Sequence, residues 1–148
     1  MITIKNKVRS IAVNEAQLKR DIQKILNEIN YPDYDLGVLL TTNKTIKKYN
    51  KFYRNKNKPT DILSFPYYPD LKPGARVKPT SDDEKNLGDL IISLEQTKTD
   101  AKRMGITFKT RLNQLIIHGI CHLLGYDHTT EKAYRQMNKK EELLLSFV

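Results

Sequence analysis

The chain has 148 residues, 39% hydrophobic and 29% charged, which is enough apolar material for one compact domain and too short a chain for several. Twenty-six Lys and Arg, 19 of them Lys, stand against 17 Asp and Glu; the formal charge of +9 points either to a polyanionic partner or to a Lys-rich solvated surface. One cysteine excludes an internal disulfide framework, no stretch nears the roughly 18 apolar residues of a membrane span, and Met1 leads into alternating Ile2, Thr3 and Ile4 instead of a signal peptide, so a cytosolic setting is expected.

The opening strand leads to Asn14, a candidate N-cap, after which Ala16, Leu18, Ile22, Ile25, Leu26 and Ile29 recur at helical spacing until Tyr31-Pro32. Residues 36–42 read as a buried strand, entered through Gly37 and carrying the run Val38, Leu39, Leu40. Asn43 can cap a second helix whose inward face is expected to hold Ile46, Tyr49 and Tyr53, with Lys44, Lys47, Lys48 and Lys51 over the rest. Beyond Asp61, residues 62–65 predict another strand, closed by Pro66, which cannot donate to a sheet ladder. Between positions 66 and 86 lie four of the six prolines, Gly74 and a small acidic cluster, predicting an irregular excursion that is an ordinary long loop in preference to a lid.

Strand character resumes over residues 87–92, and Ser93 with Gln96 forms a capping-box pattern for a helix running to about Met104 and ended by Gly105. Thr107 or Thr110 caps a strongly helical stretch striped by Leu112, Leu115, Ile116, Ile120 and Leu123 and stopped by Gly125. A last helix from about Thr130 carries Tyr134, Met137, Leu144 and Phe147. Strands interleaved with helices, without a strict βαβ rhythm or a Gly-rich phosphate loop, predict a small mixed sheet with helices packed on it.

All three histidines, His118, His122 and His128, fall within 11 residues. On a helix, residues four apart point within about 40° of each other, so His118 and His122 share one face. Gly125 then stops the helix, and the turn through Tyr126 and Asp127 can return His128 as a third nitrogen donor. Three such ligands leave a fourth tetrahedral position open, the arrangement of a catalytic rather than a structural zinc. The bland alternative, core histidines or one exposed helix face, fits the pair better than the trio. Cys121 lies about 100° from His122 and is expected to pack as a small apolar group. Asp127 either orients a ligating imidazole or shapes the turn. Gly119 stands where a helical zinc protease carries its general-base Glu, which ranks peptide hydrolysis last. Gln114 and Arg111 continue the histidine stripe backward, facing either substrate or solvent.

Residues 44–58 contain seven Lys or Arg and no acidic residue, with Tyr49, Phe52 and Tyr53 interleaved. Cations that track phosphates beside rings on which bases stack suit single-stranded nucleic acid, although Tyr49 and Tyr53 are expected to be core. Lys44, Lys48, Lys51, Lys56 and Lys58 are candidates for sequence-independent affinity for a nucleic-acid backbone. Arg54, at the helix end, either holds a phosphate through two parallel hydrogen bonds or is an ordinary surface arginine.

Three segments, Pro59-Thr60-Asp61-Ile62-Leu63-Ser64-Phe65-Pro66, Leu87-Gly88-Asp89-Leu90-Ile91-Ile92-Ser93 and His118-Gly119-Ile120-Cys121-His122-Leu123-Leu124-Gly125-Tyr126-Asp127-His128, resemble the YbeY endoribonucleases, bacterial factors for ribosomal RNA maturation. The departures are Ile120-Cys121, where the family often has a larger aliphatic pair, and the proline-rich excursion. The resemblance implies a single domain over residues 1–148 with an α+β fold, about four strands in a small mixed sheet covered by about five helices, the ligand helix central. It implies one zinc ion per chain on His118, His122 and His128, with His118 and Arg54 catalytic, Arg54 matching the family arginine that engages RNA. The implied activity is cleavage of single-stranded RNA at the 3′ end of small-subunit (16S) ribosomal RNA and in ribosome quality control, with small-subunit proteins as partners and neither membrane nor DNA. Asp61 and Asp89 are either candidate general bases or strand-end residues. A reading from another class is a zinc-stabilised ribosome assembly factor that binds RNA and protein without cutting.

Overall fold

The computed structural model describes residues 1–148. Strands β1 (Ile2–Asn6), β2 (Asp35–Thr41), β3 (Ile62–Pro66) and β4 (Asn86–Ser93) form one sheet in the order β1-β2-β4-β3. The first three in that order are parallel, and β3 joins antiparallel at the edge, the place that tolerates its terminal Pro66. Five helices accompany them: α1 (Glu15–Glu28), α2 (Asn43–Arg54), α3 (Leu94–Met104), α4 (Phe108–Leu123) and α5 (Glu131–Leu145). This is the α+β architecture that the resemblance implies, and it has the small mixed sheet with helices packed on it that the sequence pattern predicts.

Alternation along the strands divides the apolar residues between two faces. Leu36, Val38 and Leu40 of β2 and Leu90 and Ile92 of β4 join α1 and α4 in the main core, a cluster of 27 buried residues that includes Ile22, Ile25, Ile116 and Ile120. Leu39, Leu63, Phe65 and Ile91 face the other way, where α2 packs on them through Ile46 and Tyr49. The rest of that second face stays open as a hollow of about 700 Å³ over Gly37, Leu39 and Ile91, with Tyr53 and Phe65 in its wall.

Side-chain caps fix the helix starts. Asn14 accepts from the Gln17 N–H at 3.0 Å, Thr107 from Thr110 at 3.1 Å and Thr130 from Ala133 at 3.1 Å. Helix α2 departs from expectation: Thr42 is its cap, because the Asn43 side chain accepts from Ser93 Oγ at 2.6 Å and the Asn43 N–H donates to Glu95 at 2.6 Å. The capping box at Ser93 is half made, since Gln96 donates its backbone N–H to Ser93 Oγ while its side chain turns to Asp100. The buried stripe of α2 is Ile46 and Asn50, and Tyr53 is 55% exposed instead of core. The last turn of α2 meets the edge strand β3, beyond which no further strand lies to bury its outer side. On α5, Met137 and Leu144 are buried while Tyr134 is exposed, and Phe147 lies past the helix end.

Between β3 and β4 the excursion, residues 67–85, has no strand or α-helix, only a 3-10 turn at Asp82–Glu84. It is nevertheless fastened down. Val77 is buried and donates its N–H to the Tyr31 hydroxyl, and Arg76 donates to the carbonyls of Ile29 and Asn30 with its guanidinium 3.9 Å from the Tyr31 ring centroid.

Candidate metal centre

Helix α4 lies against the sheet at Gly119, where a Cβ would come within 2.7 Å of Leu90 and 2.8 Å of Ile62. That contact fixes the rotation of the helix. Gly119 faces the sheet, and Arg111, Gln114, His118 and His122 form a half-exposed stripe beside it, between buried neighbours.

His118 Nε2 and His122 Nε2 are 3.1 Å apart, and one donor atom from each of His118, His122 and His128 lies within 4.8 Å of the others. Nitrogens at about 2.0–2.1 Å from a tetrahedral ion sit roughly 3.4 Å apart, so this spread fits a single metal ion with small side-chain movements. The outer nitrogens are held too. His122 Nδ1 lies 3.0 Å from the Tyr126 carbonyl and His118 Nδ1 lies 3.2 Å from Glu141 Oε2 on α5. A proton on each Nδ1 satisfies both acceptors and leaves each Nε2 lone pair facing its neighbour, the tautomer a ligand requires. Burial, followed by the charges of His118 and His128, lowers the His122 pKa below the usual imidazole range and favours the neutral, donating ring. Donor type, convergence and tautomer control thus all fit a metal ion.

The third histidine arrives by the expected turn. Gly125 adopts φ 95°, and a Cβ there would sit 2.0 Å from the Leu71 carbonyl oxygen, so the excursion presses its backbone against the turn that delivers His128. Pro69, Leu71, Pro73 and Tyr126 wall a cleft of about 300 Å³ beside His122. Asp127 shapes the turn, accepting from the Thr129 N–H and hydroxyl at 3.2 and 3.0 Å, and these bonds lower its pKa. Cys121 belongs to the core and stands outside the donor cluster; burial pushes its thiol up to about 12.

The remaining polar candidates are committed elsewhere. Arg111 donates to Gln114 at 3.1 Å and to Asp61 at 3.4 Å and pairs with Asp100 at 3.7 Å, which draws it inward from the stripe. Asp61 also accepts from the Ile62 N–H at 2.7 Å, so it serves as a strand-end cap. Asp89 precedes Leu90, which packs under Gly119, so its carboxylate points to the opposite face of the sheet, over Gly37.

Arg54, Lys44, Lys48, Lys51, Lys56 and Lys58 are all exposed along α2 and the loop after it. Arg54 donates to the Ser64 carbonyl at 2.8 Å, with its guanidinium 5.6 Å from the Phe65 ring centroid. No hydrogen bond or ion pair joins Arg54 to the histidines; β3 connects them, Ile62 touching α4 at Gly119 and Ser64 holding Arg54 two residues on. The residue that sequence reasoning missed is Glu141. Its available signal was a carboxylate four residues after buried Met137, on the inward face of α5.

Comparison with known proteins shows the family. The family model described as endoribonuclease YbeY matches residues 3–148. The endoribonuclease YbeY of Homo sapiens is 35% identical over 144 residues, covering 97% of this chain and 86% of the human protein. That of Sulfurihydrogenibium sp. is 39% identical over 131 residues, covering 88% and 80%. A Thermotoga maritima protein solved in solution matches with a TM-score of 0.62 at 24% identity, over 99% of this chain and 90% of that one, a likeness of fold.

Proposed function

The chain belongs to the endoribonuclease YbeY family and is an RNA-cleaving hydrolase, and from that premise we propose that it cuts single-stranded RNA with one zinc ion held by His118, His122 and His128. The observation that carries the zinc reading is the convergence of three imidazole nitrogens whose two helical members are braced from behind, a donor set suited to zinc. Zinc in this position supplies Lewis acidity toward a phosphoryl oxygen or a water. His118 is catalytic in this reading as the ligand nearest Glu141, and Arg54 steadies the scissile phosphate by exchanging the Ser64 carbonyl for two phosphate oxygens. Lys44, Lys48, Lys51, Lys56 and Lys58 supply affinity for the backbone that carries no sequence information.

The biological setting we propose is maturation of the 3′ end of small-subunit ribosomal RNA and ribosome quality control in the cytoplasm, with small-subunit proteins as partners and residues 1–148 acting as one domain. Family membership and the cationic α2 surface support the RNA target, and one buried thiol suits a reducing compartment. No helix is long and apolar enough to cross a membrane. Peptide hydrolysis is disfavoured physically, because position 119 has no room even for a Cβ, let alone a general-base Glu.

Incubating the purified chain with single-stranded RNA, duplex RNA and casein, with and without chelator, tests the proposal. Cutting of single strands alone, abolished by chelator, is expected. Equal cutting by the parent and a His118→Ala, His122→Ala variant would assign the activity to a contaminant, and binding of RNA without cutting would leave an assembly factor.

A further inference from the structure

Phe52 is 80% exposed and Tyr53 55% exposed, next to each other at the end of α2. Single apolar residues on a surface are ordinary, but these two belong to a fixed ring cluster. Tyr53 meets Phe52 edge-on at 4.8 Å and Phe65 edge-on at 5.1 Å, and it stacks on Tyr49 at 6.2 Å with 7° between the planes. The ring is thus held from three sides while half of it stays in water, so a planar partner can add to it with little further loss of rotamer freedom.

The charge along α2 and the loop after it is of one sign, while Asp35 and Asp89 line the hollow that Tyr53 and Phe65 wall. Lys51 and Arg54 occupy the last turn of α2, and Asn55 turns the chain at φ 57° into the loop that carries Lys56 and Lys58. Buried Asn50 donates to the Lys58 carbonyl at 2.9 Å, tying that loop back against the helix. No acidic side chain occurs between positions 44 and 58. Exposed rings flanked by cations match one ligand chemistry closely: an unpaired nucleobase has a π-face for the rings and a phosphate on each side for the cations. A base in a duplex has both faces already stacked and cannot use such a shelf.

We propose that Phe52 and Tyr53, backed by Phe65, form a base-stacking subsite for single-stranded RNA, and that this shelf is one source of the enzyme's strand preference. The proposal rests on the single-strand reading above but concerns binding, so it can fail independently of cleavage.

Binding of a labelled 12-nucleotide oligouridine to the full chain, in chelator to prevent cutting and with folding verified by circular dichroism, provides the test. Phe52→Ala and Tyr53→Ala should each weaken single-strand binding about tenfold, the scale of one lost base–aromatic stack. Affinity for a blunt RNA duplex, and the slope of affinity against salt, should stay as in the parent because no cation is removed. Lys56→Gln should instead flatten the salt slope. Phe52→Trp should retain affinity and, in a chain with no native Trp, give an indole emission that single-stranded RNA quenches. Unchanged single-strand affinity in both alanine variants, equal losses for single and double strands, or an unquenched indole would each overturn the shelf. If the metal-loaded parent cuts RNA while the alanine variants bind like the parent, the shelf falls and the nuclease reading stands. If the parent cuts nothing while the variants lose binding, the nuclease reading falls and the shelf stands.

Discussion

Glu141 Oε2 on α5 lies 3.2 Å from His118 Nδ1 on α4, the side of the ring away from the converging nitrogens. Both groups are partly shielded, with side-chain exposures of 29% for His118 and 22% for Glu141. A carboxylate in this place fixes the tautomer and raises the basicity of the ligating nitrogen. Glu141→Ala should therefore lower metal affinity about 10- to 100-fold, measured by competition with a chromogenic chelator. Glu141→Gln, which keeps an oxygen acceptor, should lose less. Parent-like affinity in Glu141→Ala would show that α5 plays no part in the centre.

The seat of α4 on the sheet makes a stability prediction. Gly119→Ala gains up to about 1 kcal/mol in helix propensity but forces a methyl into Leu90 and Ile62, an overpacking that costs about 1–3 kcal/mol. The net change should be a lower urea midpoint at unchanged slope. Gly125→Ala should cost more, since it combines φ 95° with a clash against the Leu71 backbone, and it should also weaken metal binding by displacing His128. A raised midpoint in either variant would contradict the packing described for these turns.

The local parts of the fold were legible where the cause was local. Asn14 and the α4 stripe from Leu112 to Leu123 were readable because a cap and a helical period are decided within a few residues, while the α4 cap stayed open between Thr107 and Thr110, of which Thr107 is the acceptor. Asn43 was misread because its side chain is claimed by Ser93, 50 positions away. Tyr53 was misread because periodicity gives the direction of an inward face but not how far the opposing sheet extends beneath it. The same limit hid Glu141, whose partner lies 23 residues earlier on another helix. The histidine trio was readable from spacing plus one glycine stop; the brace on His122 from the Tyr126 carbonyl is local to that turn, while the brace on His118 from Glu141 needed the tertiary packing.

His122 should titrate below the ordinary imidazole value of 6.5 in the metal-free chain. A histidine whose folded pKa is depressed binds protons more readily when unfolded. Its neutral form therefore supports the folded state above about pH 6.5, and that contribution is lost as pH falls toward the folded pKa. With three histidines in the chain, a two-dimensional NMR titration separates the rings. Metal affinity should fall over the same acidic range, as protons compete for the donor nitrogens. A His122 midpoint above 6.5 would contradict the shielded environment assigned to it.

Cys121 should be inert to iodoacetamide at pH 8, since burial pushes its thiol up to about 12 and solvent does not reach it. Unfolding in urea should expose the single thiol to stoichiometric alkylation. Removing metal without unfolding should leave it protected, because Cys121 lies in the core and outside the donor cluster. Rapid alkylation of the folded, metal-free chain would place the thiol at the centre instead.

Metal content per chain tests the central claim most directly. Elemental analysis of the parent after dialysis against a zinc buffer should give one equivalent, and His118→Ala, His122→Ala and His128→Ala, each verified as folded, should bind far less, in parallel with the loss of RNA cleavage. A parent without stoichiometric metal, or a His118→Ala, His122→Ala variant that retains it, would contradict the account.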